Sequence, residues 1–177
     1  MRAAFYIIIL MVATVTCSVG GEASCTIPTN APARIALRDQ FDAPLTLAFP
    51  TTNIIFLTIA DKAGSEQIAG WVAPVKERFD TRVEICGIAD VSAVPRLLRG
   101  LVRSRFQKAQ SHPVMLDWSG DEVRAFGCVS DQVNVFVLDG EGRILKRIVG
   151  PVNEAALREV LQVLDQALVK RDRLVTK

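Results

Sequence analysis

Asn53-Ile-Ile-Phe-Leu-Thr-Ile-Ala-Asp-Lys-Ala-Gly-Ser-Glu66 is the stretch whose reading decides the fold. Its apolar, β-branched run from Ile54 to Ile59 stops abruptly at Asp61-Lys62-Ala63-Gly64, and a helical spacing of apolar residues follows. Such a run reads as a buried strand. Strand, short loop and helix N-terminus is where α/β folds gather their chemistry, because unpaired amides and the positive end of the helix dipole meet there. The side chains this loop offers are Asp61, Lys62, Ser65 and Glu66, with no thiol and no histidine.

Downstream, Ile68, Trp71, Val72, Val75 and Phe79 recur on one face of a 3.6-residue period and predict a helix over 65–79. Ser65 is its expected N-cap, Glu66 sits in its first turn, and Pro74 should kink it. Arg82–Ala89 predicts a second strand, buried on both faces. Ser92–Lys108 predicts a second helix, with Val94, Leu97, Leu98, Leu101 and Val102 as its core face and Arg96, Arg99 and Arg103 on the solvated side. Arg105 falls among the leucines by angle, so the helix ends early or the arginine stem snorkels past the core. Pro113–Asp117 predicts a short strand, and Asp117-Trp-Ser-Gly120 a turn into a short helix over 121–126. Strands over 133–138 and 143–149 are joined by the hairpin signal Asp139-Gly-Glu-Gly142. A last helix over 153–169 buries Leu157, Val160, Leu161, Leu164 and Leu168.

Upstream, Leu37–Phe41 and Pro44–Ala48 predict a small opening hairpin. The first strands connect through helices and the last two pair antiparallel, so the order demands an α/β fold, a mixed central sheet with helices on both faces.

Residues 1–23 read as a secretory signal: Arg2, the apolar run Ala3–Val15, then small residues at Ser18, Gly20, Gly21 and Ala23. The run falls short of the roughly 20 apolar residues of a comfortable membrane span. An uncleaved inner-membrane anchor over 3–15 and a lipid-bearing Cys17 are the competing readings. The expected organisation is a signal over 1–23, a mobile lead-in over 24–35, one domain over 36–170 and a polar tail over 171–177. The address it implies is export, to the periplasm.

Of the 177 residues, 6% are aromatic and the net charge is +2, and no basic stretch carries interleaved aromatics, which argues against nucleic acid as a partner. The cysteines are Cys17, Cys25, Cys86 and Cys128, with no Cys-x-x-Cys, and the single histidine is His112. That leaves no basis for a histidine-based zinc site or a Ser-His-Asp triad, and no metal is expected. Asp139-Gly-Glu-Gly142 lacks a third glycine and does not open a helix, and no Walker loop is present, so no cofactor is expected.

The element order, with Leu37-Arg-Asp-Gln-Phe41, Pro113-Val-Met-Leu-Asp117, Ala125-Phe-Gly127 and Phe136-Val-Leu-Asp-Gly-Glu-Gly-Arg-Ile144, resembles the redoxin branch of the thioredoxin-like superfamily. The likeness spans about residues 35 to 170. It implies a thioredoxin-like fold, and it sets Ala63-Gly64-Ser65-Glu66 where active members carry Cys-Gly-Pro-Cys. Ala63 and Glu66 thus match the dithiol positions, and Val133 matches the family's cis-proline. A cysteine at a helix N-terminus is useful because its thiolate is stabilised there. Alanine cannot attack, and Glu66 has no redox capacity. The chain looks closest to periplasmic YtfJ-type proteins, which are similar in lacking the pair.

The expected function is therefore a non-redox binding or accessory module with a degenerate dithiol site, a reading that leans away from an enzyme without deciding the point. The candidate binding surface is Asp61, Lys62, Ser65, Glu66 and Trp118, for an unknown protein partner. Cys128, in the loop before the Val133 strand, is the weak catalytic candidate and carries the rival reading, a thiol-dependent oxidoreductase or peroxidase. A membrane-anchored accessory subunit is the third reading. No membrane contact beyond an N-terminal anchor is expected.

Overall fold

Every residue of β3 (Ile54–Ala60) is buried, and the strand lies inside a seven-stranded mixed sheet. The structure, a computed structural model, describes residues 28–175. Around β3 the chain forms β1 (Arg34–Asp39), β2 (Pro44–Ala48), the single turn α1 (Lys62–Ser65), α2 (Ile68–Phe79) and β4 (Val83–Asp90). Then come α3 (Arg99–Ala109), β5 (Met115–Asp117), α4 (Asp121–Ala125), β6 (Asn134–Leu138), β7 (Ile144–Val149) and α5 (Glu154–Val175). Tight helical turns at Asp80–Arg82 and Arg96–Leu98 lead into β4 and α3.

The strand order is β2-β1-β5-β4-β3-β6-β7. β3, β4 and β5 run parallel, and the remaining pairs are antiparallel. Side chains alternate across a strand, so β3 feeds two cores. Ile54, Phe56 and Ala60 pack with Trp71, Val75 and Phe79 of α2 and with Val160, Leu164 and Leu168 of α5. Ile55, Leu57 and Ile59 face the other way, with Ile35, Ile88, Met115, Phe126 and Phe136. A strand buried on both faces cannot alternate in polarity, which is why Ile54–Ile59 is a continuous apolar run. Helices on both faces of a mixed sheet, as the element order demanded, are what the chain builds.

Several local expectations need correction. The helix over 65–79 is divided into α1 and α2, with Glu66 and Gln67 between them. β4 is fully buried only at Val83 and Ile88, while Glu84 is exposed because it reaches out to accept the Asn53 side-chain amide at 2.8 Å. β1 begins at Arg34 with Ile35 fully buried, and Asn30 bridges to Arg143, so the domain starts before residue 36. α5 continues to Val175, through most of the segment read as a polar tail, and Arg171 donates to the Arg82 carbonyl at 3.2 Å.

The largest correction concerns α3 and the turn before it, where two of the three arginines and the three leucines exchange sides. Arg99 lies 5.0 Å from the centre of the Trp118 ring, Arg103 pairs with Asp42 at 3.1 Å, and Gln107 donates to the Gln40 carbonyl at 2.8 Å. These contacts turn Arg99 and Arg103 inward while Arg96 stays exposed, and of the expected core face Val94 and Val102 are half-buried, whereas Leu97, Leu98 and Leu101 point into solvent with Arg105 among them. No residue of α3 is buried.

The expected signal over 1–23, with its 3–15 anchor alternative, lies outside the described residues, as do Cys17 and Cys25. Among the described residues no helix is long and apolar enough to cross a membrane.

Candidate functional site

The parallel strands β3, β4 and β5 end together at Ala60, Asp90 and Asp117, and the candidate site lies at that end of the sheet. Asp61 leaves β3 and caps α1, the role expected of Ser65. One carboxylate oxygen, Oδ1, accepts the Gly64 N–H at 2.8 Å, and the other, Oδ2, accepts the Asp131 N–H at 2.6 Å. Ser65 Oγ instead donates to the Lys62 carbonyl at 2.7 Å. Lys62, Ala63, Ser65 and Glu66 are all exposed around this turn.

Gln67 continues the attachment, its Oε1 accepting the Val133 N–H at 3.3 Å. Gly64 lies against the same loop so closely that a Cβ there would stand 2.5 Å from the Gln132 carbonyl oxygen and 2.8 Å from the Val133 nitrogen. Only glycine leaves the two backbones this close. Asn134 locks the loop from beneath: its Nδ2 donates to the carbonyls of Val129 at 2.9 Å and Gln132 at 3.1 Å, and its Oδ1 accepts the Val129 N–H at 2.9 Å. The start of α1 and the loop before β6 are thus clasped together. Val133 is fully buried, and among the described residues the cis peptide is Phe49–Pro50, far from this loop in sequence.

Beside the clasp a small cavity is lined by Asp61, Asp90, Cys128 and Asn134 among others, with room for about 10 Å³ of solvent, which is at most one water molecule. The structure therefore does bring Cys128 to Asp61. Burial pushes its thiol up to about 12, Arg147 opposing the rise and Asp90 and Asp117 adding to it. The thiolate is the reactive form of a cysteine, so this burial works against reactivity at Cys128. Cys86 is raised to about 12 as well, first by burial and then by the charge and hydrogen bond of Glu84.

Trp118 is not on this cavity. It is half-buried beneath Arg99, whose Nη2 donates to the Trp118 carbonyl at 3.2 Å, two strands away from β3. Neighbouring Asp117 is fully buried and accepts from the amides of Gly120 at 2.7 Å, Glu122 at 3.0 Å and Val123 at 3.2 Å, so it organises the start of α4. Buried Asp117 and Asn134 are the polar residues that sequence reasoning missed. The available signal was a lone polar residue at the end of an apolar strand, where chain reversal needs side-chain acceptors. Among the described residues no group of three or more His, Cys, Asp or Glu is placed to hold a metal ion.

No family model matches the chain, and no curated protein sequence matches it. Solved structures do. The structure assigned to the thiol:disulfide interchange protein DsbE of Chlorobium tepidum superposes with a TM-score of 0.61 at 16% identity, over 81% of this chain and 99% of that one. The exposed lipoprotein thioredoxin of Streptococcus pneumoniae gives 0.60 at 16% identity, over 76% and 99%. StoA of Bacillus subtilis gives 0.56 at 15% identity, over 75% and 98%. The class this defines is a thioredoxin-like fold. At these identities the likeness establishes architecture, and activity has to be argued from the site.

Proposed function

We propose that this chain is an exported thioredoxin-fold protein that has lost dithiol chemistry and acts as a binding or accessory module, of the YtfJ type. The observation that carries the reading is the clasp between Asp61, Gly64 and Gln67 and the loop Asp131–Val133. In the redoxin branch those two segments carry the dithiol and the proline that holds a substrate strand. Here Ala63 and Glu66 stand at the first and Val133 at the second, and Gly64 lies directly against the Gln132–Val133 backbone. Binding then falls to the exposed rim of Lys62, Ser65 and Glu66, for a protein partner. Export is supported by the Arg2 to Ala23 pattern and by the presence of an exposed lipoprotein thioredoxin among the structural neighbours.

The test is redox turnover by the purified protein. It should neither reduce insulin disulfides nor consume peroxide above a no-protein blank. Clear turnover that disappears in Cys128→Ser would replace this reading with a single-thiol oxidoreductase. Mass spectrometry of the envelope fraction addresses export: a mature N-terminus between Gly21 and Ser24 is expected, and an intact Met1 would mean a retained anchor.

A further inference from the structure

The outward face of α3 has no role in the fold or in the clasp. Leu97 is 97% exposed, Leu98 48% and Leu101 52%, three apolar side chains clustered at the start of the helix. A Cβ on Gly100 would touch nothing within 4 Å, so the surface there is open. On the same outward side the next turns carry Arg105 and Lys108, and Arg96 precedes the leucines; all three are exposed. No ion pair engages Arg96, Arg105 or Lys108 among the described residues. The sequence contains no carboxylate between Asp90 and Asp117. Asp42, the carboxylate that pairs with α3, is already engaged by Arg103 at 3.1 Å and Arg38 at 3.7 Å.

We propose that this face is a docking surface for the anionic headgroups of a phospholipid bilayer, Leu97, Leu98 and Leu101 entering the headgroup–acyl boundary and Arg96, Arg105 and Lys108 pairing with lipid phosphates. A helix with exposed leucines and only cationic charge is complementary to such a surface, where burial of apolar area and attraction to anionic lipid act together. Leu97 stands clear of the protein instead of lining a groove, which suits fluid hydrocarbon better than a shape-matched protein pocket. The long stems of Arg105 and Lys108 let their charges stay in water while the leucines are buried. Inward-facing Arg99 and Arg103 anchor the helix to the body through Trp118 and Asp42, so the insertion face is held in place without being used up. The contact goes beyond the N-terminal anchor that the sequence suggests, and it does not depend on the redox reading.

The test places an indole on the proposed contact. In the full-length protein carrying Leu97→Trp, the emission difference from the parent isolates position 97, since Trp71 is buried and Trp118 half-buried. Vesicles of phosphatidylcholine mixed with phosphatidylglycerol should shift that emission to the blue and allow quenching by brominated acyl chains, while phosphatidylcholine alone should not. Added salt should weaken the effect. Replacing Arg96, Arg105 and Lys108 by Gln in the same protein should lower partitioning roughly a hundredfold, given the attraction each cation contributes near an anionic surface. All four positions are exposed, and an unchanged melting temperature establishes that the variants fold. An indole at 97 that keeps its aqueous emission while the protein sediments with the vesicles would place attachment elsewhere and overturn the proposal. Crosslinking from position 97 to an envelope protein, with no lipid quenching, would overturn it in favour of a protein partner.

Discussion

The Asp61 carboxylate accepts the amide of Asp131, 70 residues away in sequence, at 2.6 Å. That bond joins the end of β3 to the loop before β6. With Gly64 backed against Gln132 and Val133, it makes a closed seam between the two segments.

Asp61→Ala should cost about 1–3 kcal/mol, because it removes a helix cap and leaves the Gly64 and Asp131 amides without their acceptor. Asp61→Asn keeps one carbonyl oxygen and should cost less. Chemical denaturation ranks the two, and hydrogen exchange should quicken over residues 129–133 in the alanine variant. An alanine variant as stable as the parent would mean the seam is closed by packing alone.

The two half-buried thiols should make the protein sensitive to alkali. Cys86 and Cys128 are both raised to about 12 in the folded state, whereas an unfolded chain ionises its thiols near about 8.5. The folded state therefore keeps protons that the unfolded state releases. The resulting stability is complete below about pH 8.5 and drains away as pH climbs towards 12. Melting temperature against pH should fall across that window, and the Cys86→Ala/Cys128→Ala pair should fall less steeply. Equal slopes would show that the thiols titrate normally.

Phe56 and Glu66 test the two ends of the same stretch. Phe56 is fully buried between β4, α2 and α5, so Phe56→Ala should cost about 3–5 kcal/mol. Glu66 is exposed at the end of a single helical turn, and Glu66→Gln should change stability by less than about 1 kcal/mol. Denaturation curves of both beside the parent decide the matter: a near-neutral Phe56→Ala would remove β3 from the centre of the fold, and a loss above roughly 3 kcal/mol for Glu66→Gln would reveal a partnered carboxylate.

Arg99 and Trp118 should be energetically coupled. The guanidinium stacks 5.0 Å from the ring centre and also donates to the Trp118 carbonyl at 3.2 Å. A double-mutant cycle through Arg99→Ala and Trp118→Ala should return a coupling of about 0.5–2 kcal/mol. Zero coupling would restore the solvated arginine face expected from the sequence and would remove the reason for the leucines to point outward.

Much of the architecture was legible because burial writes itself into the chain. Ile54–Ile59 had to be covered on both sides, the period of Trp71, Val75 and Phe79 had to be a helix against it, and Asp139-Gly-Glu-Gly142 had to be a hairpin; Gly142 does adopt φ 79° there, with Asp139 holding the turn. The order of these elements then left the mixed sheet as the consistent answer. The absence of cysteine from Asp61–Glu66 was equally plain, since it is read directly from the chain.

What remained for the tertiary structure was direction and distance. Periodicity says which residues of the helix after Ser92 share a face, and says nothing about which face turns inward. Leu97 and Leu101 were the reasonable choice, and the contacts of Arg99 with Trp118 and Arg103 with Asp42 reversed it. The clasp is of the same kind. Asp61 reads as one more polar loop residue until the fold carries the Asp131 amide to it. A hydrogen bond or a stacked guanidinium forms over a few ångströms between groups that the chain keeps tens of residues apart, so no local pattern encodes it, whereas the apolar period of a buried strand or helix is repeated at every turn of the chain.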